Sequence, residues 1–238
     1  MIGNGKAMDT DKPFFGIALW SRKLPLSWSL KTQTKERGRS VMADPERTAF
    51  IRTLESMTTF IETMEDDLRM DSLAHLGQGN RVNSCFQKIL SSADNAGDVG
   101  LMISHRTRGL QDSLFDLSAA VREKIEEHIA FSDQATNEVE LLCRQSKTFL
   151  KASIDFLLTD NPVLLTWLDT KQKECKKSCE ECATGHEERL IEGICTQTAA
   201  MIYLDILDGF KGIYSQTTNI IWLLAGLCGI YEAKYGIN

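Results

Sequence analysis

The chain has 238 residues, 42% apolar and 25% charged, enough to bury a sizeable core in one domain or two small ones. Its formal charge of −6 argues against general nucleic-acid binding, because neutralising phosphates takes a surplus of Lys and Arg. Only four prolines and few alternating β-branched runs point to an all-α fold.

The charge is unevenly spread. Residues 1–43 hold eight Lys/Arg and three Asp/Glu, a balance of +5, and the remainder holds 19 against 30, a balance of −11. This arm has no sustained period, contains Pro13 and Pro25, and carries Phe14, Phe15, Trp20 and Trp28. Two readings stand: a solvated irregular tail, or a basic, aromatic segment suited to a membrane surface or an acidic partner. The run PFFGIALW is short for a signal-peptide core. Seven cysteines then imply a reducing compartment in which thiols act as small core residues, and the expected location is cytoplasmic.

From residue 44 the helical signals begin. Asp44-Pro45-Glu46 reads as N-cap, first helical position and first turn. Behind it Phe50, Leu54, Met57, Ile61, Met64 and Leu68 recur at steps of three and four, a core-facing stripe. Residues 75–80 break the pattern as a loop. A second helix is expected from about Arg81 and is read as continuing, kinked near Gly109, to about Ala130, with Leu114, Leu117, Val121, Ile125 and Ile129 inward. Gly97, Gly100 and Gly109 would weaken it or admit a close neighbour. Ser132 is the expected N-cap of a third helix to Leu158, with Val139, Leu142, Phe149, Ile154 and Leu157 inward. Asp160-Asn161-Pro162 is a turn and a new helix start. A long helix Val163–Ile191 closes at Gly193, and Thr196–Tyr235 is the fifth. Its IIWLLAGLCGI segment (220–230) is too short for a bilayer span, which takes about 20 apolar residues. The fold class is therefore all-α, an antiparallel helical bundle at 44–238 behind the arm 1–43.

Two constellations bear on chemistry. Asp94 and Asp98, inside the largely apolar stretch Lys88–Met102, are four apart; on one helix they would share a face and repel by roughly 0.2–0.5 kcal/mol if exposed. Such an edge is either solvated or neutralised by a cation suited to hard carboxylates, Mg, Ca, Mn or Fe. Asp205 and Asp208 echo it in Met201–Ile221, flanking an apolar stripe of Ile202, Ile206, Phe210, Ile213 and Ile220. The second constellation is Cys175, Cys179, Cys182 and His186, at i, i+4, i+7 and i+11. On a helix these span ~16 Å and cannot all ligate one ion. They fill a core seam, or a pair of them holds zinc or iron with help from another helix, as in a metal or redox sensor. No hydrolase triad, phosphate loop or dinucleotide fingerprint is present, so the chain reads as non-enzymatic.

Taken together, SADNAGD (92–98), the helix 131–161, GHEERLIEG (185–193) and MIYLDILDGFKGIYSQTTNI (201–220) resemble the PhoU family. The nearer resemblance is to the cytoplasmic PhoU-like domain of bacterial sodium/phosphate cotransporter homologues, over roughly residues 50–225. The resemblance implies two three-helix repeats, here 44–130 and 131–238, and a regulator of phosphate uptake that contacts a phosphate transporter or a sensor kinase. It also implies a divalent metal or iron on Asp94 and Asp98 in the first repeat. In the second repeat the acidic positions fall on Lys211 and Ser215, so that half departs from the family site. The family's H-x-x-R pattern falls on His186 and Arg189, which are expected to be structural. The first repeat lacks an obvious leading helix, so five full helices are expected in place of six. The apolar groove this would leave favours a homodimer or docking onto a partner, peripheral to the inner face of the membrane.

Overall fold

Every connection in this chain is short, and each apolar stripe needs a partner, so the helices pack beside one another. A computed structural model describes residues 44–74, 79–93 and 97–226. The arm 1–43, Asp94 and everything from residue 227 lie outside the described residues. The described residues belong to one unit spanning 39–238. They form α1 (Asp44–Met70), α2 (Gly79–Ala93), α3 (Gly97–Glu126), α4 (Asp133–Thr159), α5 (Pro162–Ile191) and α6 (Gln197–Leu224). The fold is an all-α antiparallel bundle.

The ends of the helices are written locally. Ser132 Oγ accepts from Ala135 N–H at 3.3 Å, Asn161 Oδ1 from Val163 N–H at 3.0 Å, and Thr196 Oγ1 from Ala199 N–H at 3.2 Å. Each satisfies one of the amides that a helix start leaves without a partner. Asp160 ends α4 in the left-handed conformation at φ 52°, its N–H on Phe156 O, and Gly193 follows α5 at φ 73°. Pro162 opens α5, where its missing N–H costs nothing.

One expectation fails. The predicted second helix is two helices: α2 stops at Ala93, α3 starts at Gly97, and Gly97 has φ 65°, which a right-handed helix cannot hold. The break falls inside Lys88–Met102, and α3 continues without interruption through Gly109. The described residues therefore hold six helices, not five, although α2 has 15 residues against 30 for α5.

The packing follows one rule twice over. Within α1–α3 and within α4–α6 each helix touches the other two, and between the two sets α1 packs on α4 and α3 on α6. The α3–α6 contact is the most extensive in the molecule. Its direction is antiparallel: a Cβ on Gly109 would meet Gln216, one on Gly212 would meet Ser113, and one on Gly209 would meet Leu117. The α1–α4 contact is also antiparallel. It is tied by Arg47 to Asp160, Lys147 to Glu65, and Arg69 to Glu140. The predicted stripes face the shared core. Phe50, Leu54, Met57, Ile61 and Met64 on α1 are buried, as are Leu114, Leu117, Val121 and Ile125 on α3. On α6, Ile202, Ile206, Phe210, Ile213 and Ile220 are buried, each contributing about 1.5–3 kcal/mol by leaving water.

Candidate functional site

A cluster of buried and half-buried polar side chains forms where α4, α5 and α6 meet. Glu138 of α4 accepts a hydrogen bond from Arg189 Nη2 of α5 at 3.1 Å and another from the Tyr203 hydroxyl of α6. His186, one turn before Arg189, stacks on the Tyr203 ring at 4.5 Å with 21° between planes. Its Nδ1 faces Arg189 Nη2 at 3.4 Å. Phe131 meets the same ring edge-on at 5.8 Å, which leaves Tyr203 with no exposed surface. Positions 186, 189 and 203 converge because i, i+3 on α5 share a face and α6 returns antiparallel to it.

The electrostatics follow from burial and one carboxylate. Burial lowers the His186 pKa below the ordinary histidine value, the Arg189 guanidinium lowers it further, and Glu138 opposes both. Tyr203 is pushed far up, first by burial and then by donating to Glu138. The neutral imidazole and the neutral phenol are the forms this environment selects. Buried His186 Nε2 has no hydrogen-bond partner among the described residues. Arg189 also lines a cleft of about 410 Å³ with Ser132, Asp133, Gln134, Glu188 and Glu192, so its guanidinium joins the buried cluster to the end of the bundle where α4 begins.

Further along the same face of α5 lie the cysteines. Cys175 and Cys179 are both buried, with Sγ atoms 4.0 Å apart. The hydrogen bond between the two thiols holds Cys179 below its ordinary pKa and, together with burial, pushes Cys175 up. Cys182 is half-buried beside Tyr203. On α4, Cys143 is pushed up to about 12 by burial. All six described cysteines are free thiols.

The expected site residues divide accordingly. Cys175, Cys179, Cys182 and His186 do share one inward face of α5. However, Cys179 and His186 are seven residues and ~10.5 Å apart along the axis, and His186 belongs to the Tyr203 cluster. Asp94 lies outside the described residues. Asp98 is exposed in the first turn of α3. Asp205 and Asp208 are exposed, and Asp208 pairs with Lys211. Among the described residues no group of three or more His, Cys, Asp and Glu is placed to hold a metal ion. No described helix is long and apolar enough to cross a membrane.

Glu138 and Tyr203 carry the cluster, yet nothing in the sequence marks them. Glu138 reads as one more charge on a surface face, and its partner is 51 positions away. Tyr203 reads as part of an apolar stripe. No protein-family model, no characterised protein and no solved structure matches this chain.

Proposed function

We propose that this chain is a non-enzymatic, PhoU-like regulator of phosphate uptake that acts by contact with a phosphate transporter or a sensor kinase. The observation that carries this reading is the doubled packing rule: α1–α3 and α4–α6 repeat one set of helix pairings, joined by α1 on α4 and α3 on α6. That is the arrangement two three-helix repeats would give. The residues that resemble the family's H-x-x-R helix end, His186 and Arg189, occupy a buried junction between helices, in keeping with a structural role.

Action by contact has support at the surface. Ile191, Ile194 and Met201 are 86%, 60% and 63% exposed around the turn between α5 and α6. Apolar side chains grouped near one turn are the kind of surface through which a partner could be contacted. The proposed occupant is the transporter or the kinase.

The test uses cells that make this protein. Deleting its gene should change the rate of phosphate uptake, and the tagged full chain should retrieve a phosphate transporter or its kinase from detergent-solubilised membranes. Unaltered uptake together with retrieval of neither partner would overturn the reading.

A further inference from the structure

We propose that Cys175 and Cys179 form a two-coordinate site for a soft monovalent ion, copper(I), independent of any role in phosphate uptake. The pair cannot close a disulfide. Side chains four apart on a helix have Cβ atoms ~5–6 Å apart, whereas a disulfide needs about 3.5–4.5 Å. Closing a bond between them would require unwinding α5, which runs unbroken from Pro162 to Ile191.

An ion between the sulfurs removes that obstacle. Two thiolates each ~2.3 Å from a metal stand ~3.8 Å apart at the tetrahedral angle and ~4.6 Å apart in a line. The observed separation, 4.0 Å, lies inside that window with the helix undisturbed.

The ligand count selects the ion. Zinc and iron–sulfur clusters ask for four ligands, and among the described residues no third His, Cys, Asp or Glu joins the pair. A soft ion content with two thiolates is what remains, and thiolate ligands favour copper(I). The surroundings match its charge. Each thiol would release its proton to solvent as its sulfur–copper bond forms, with no electron transferred, leaving a bis-thiolate centre of net charge −1. The Lys211 ammonium of α6 acts favourably on both sulfurs, although Asp208 and Glu180 oppose it at Cys179. Both thiols are buried, so water and oxidants are kept from the bound ion.

The experiment titrates the anaerobic full chain with copper(I) against bathocuproine disulfonate, a coloured copper(I) chelator. The wild type should withdraw one ion per chain. Cys175→Ser and Cys179→Ser should each hold it at least tenfold more weakly, while Cys85→Ser and Cys195→Ser should match the wild type. Failure of the wild type to withdraw copper, or equal withdrawal by Cys175→Ser, overturns the proposal. If the serine variants do not fold, copper X-ray absorption on the wild-type complex decides. Two sulfur neighbours and no other ligand support the site; three sulfurs, or nitrogen neighbours, overturn it.

Discussion

Single side chains set the strength of the α4–α5–α6 junction. Arg189 is 8% exposed and Glu138 18%, so removing one charge strands the other in a poorly solvated place. Arg189→Met should cost about 3 kcal/mol, the low end for a broken buried pair. Tyr203→Phe removes one hydrogen bond to a carboxylate that keeps its arginine, and should cost about 1 kcal/mol. Urea midpoints at constant m-value read both; the reverse order would mean that Tyr203, and not the ion pair, organises the junction. His186 adds a dependence on pH. Its folded pKa is depressed by burial and by Arg189, so below about pH 6.5 the unfolded chain takes up a proton that the folded chain refuses. Stability should therefore fall as pH drops through that value towards the lower folded pKa, and rise again as pH increases. The thermal midpoint between pH 5.5 and 7.5 should move less in His186→Gln than in wild type. Equal slopes would place the titration elsewhere.

At the level of helices, Gly209 sets how closely the central pair can approach. A Cβ on Gly209 would lie 2.7 Å from Leu117 Cβ and 3.2 Å from Leu117 Cα and Ser113 O. None of these atoms is the free end of a side chain, so the helices must part. Gly209→Ala should thus destabilise by about 1–3 kcal/mol, although alanine is the better helix former by about 1 kcal/mol. A gain in melting temperature would mean that α3 and α6 slide freely. Gly193→Ala tests a different cause: nothing lies within 4 Å, but φ is 73°, so its cost of about 1–2 kcal/mol is backbone strain. Such contrasts explain what the sequence made legible. Helix starts at Asp44-Pro45, Ser132 and Asn161-Pro162 are local chemistry, readable within four residues, and the inward stripes follow from a period of 3.6. The break before Gly97 was hidden because apolar residues flank it on both sides and a glycine's sign of φ leaves no mark on the period. The shared face of Cys175 and Cys179 was legible from spacing; the 4.0 Å between their sulfurs depends on rotamers and was not. Glu138 with Arg189, and Gly209 with Leu117, are pairings across long stretches of chain, which periodicity within one segment cannot report.

For the whole molecule, the doubled packing rule raises the question of whether the two halves are independent. Three features say they are not. The most extensive helix contact joins α3 to α6 across the halves, α1 to α4 is the next, and the described residues fall in one unit. Leu114, Leu117 and Val121 of α3 are fully buried, and Leu117 lies directly against Gly209 of α6. Without α4–α6 that face of α3 would meet water, and each stranded leucine or valine would lose about 1.5–3 kcal/mol. A domain has only about 5–15 kcal/mol of net stability to lose, so a few such residues suffice to unfold a half. Cutting the chain between α3 and α4 should accordingly give fragments 44–130 and 131–226 that show weak helicity and no cooperative melt when separate. Mixed at equal concentration they should recover a single cooperative transition whose midpoint rises with concentration, as expected when folding is coupled to association. Circular dichroism of each fragment and of the mixture reads this directly. A half that melts cooperatively alone, with an unchanged midpoint on mixing, would make the molecule two modules laid side by side. The α3–α6 contact would then be an interface that a partner could open, and not the core of one fold.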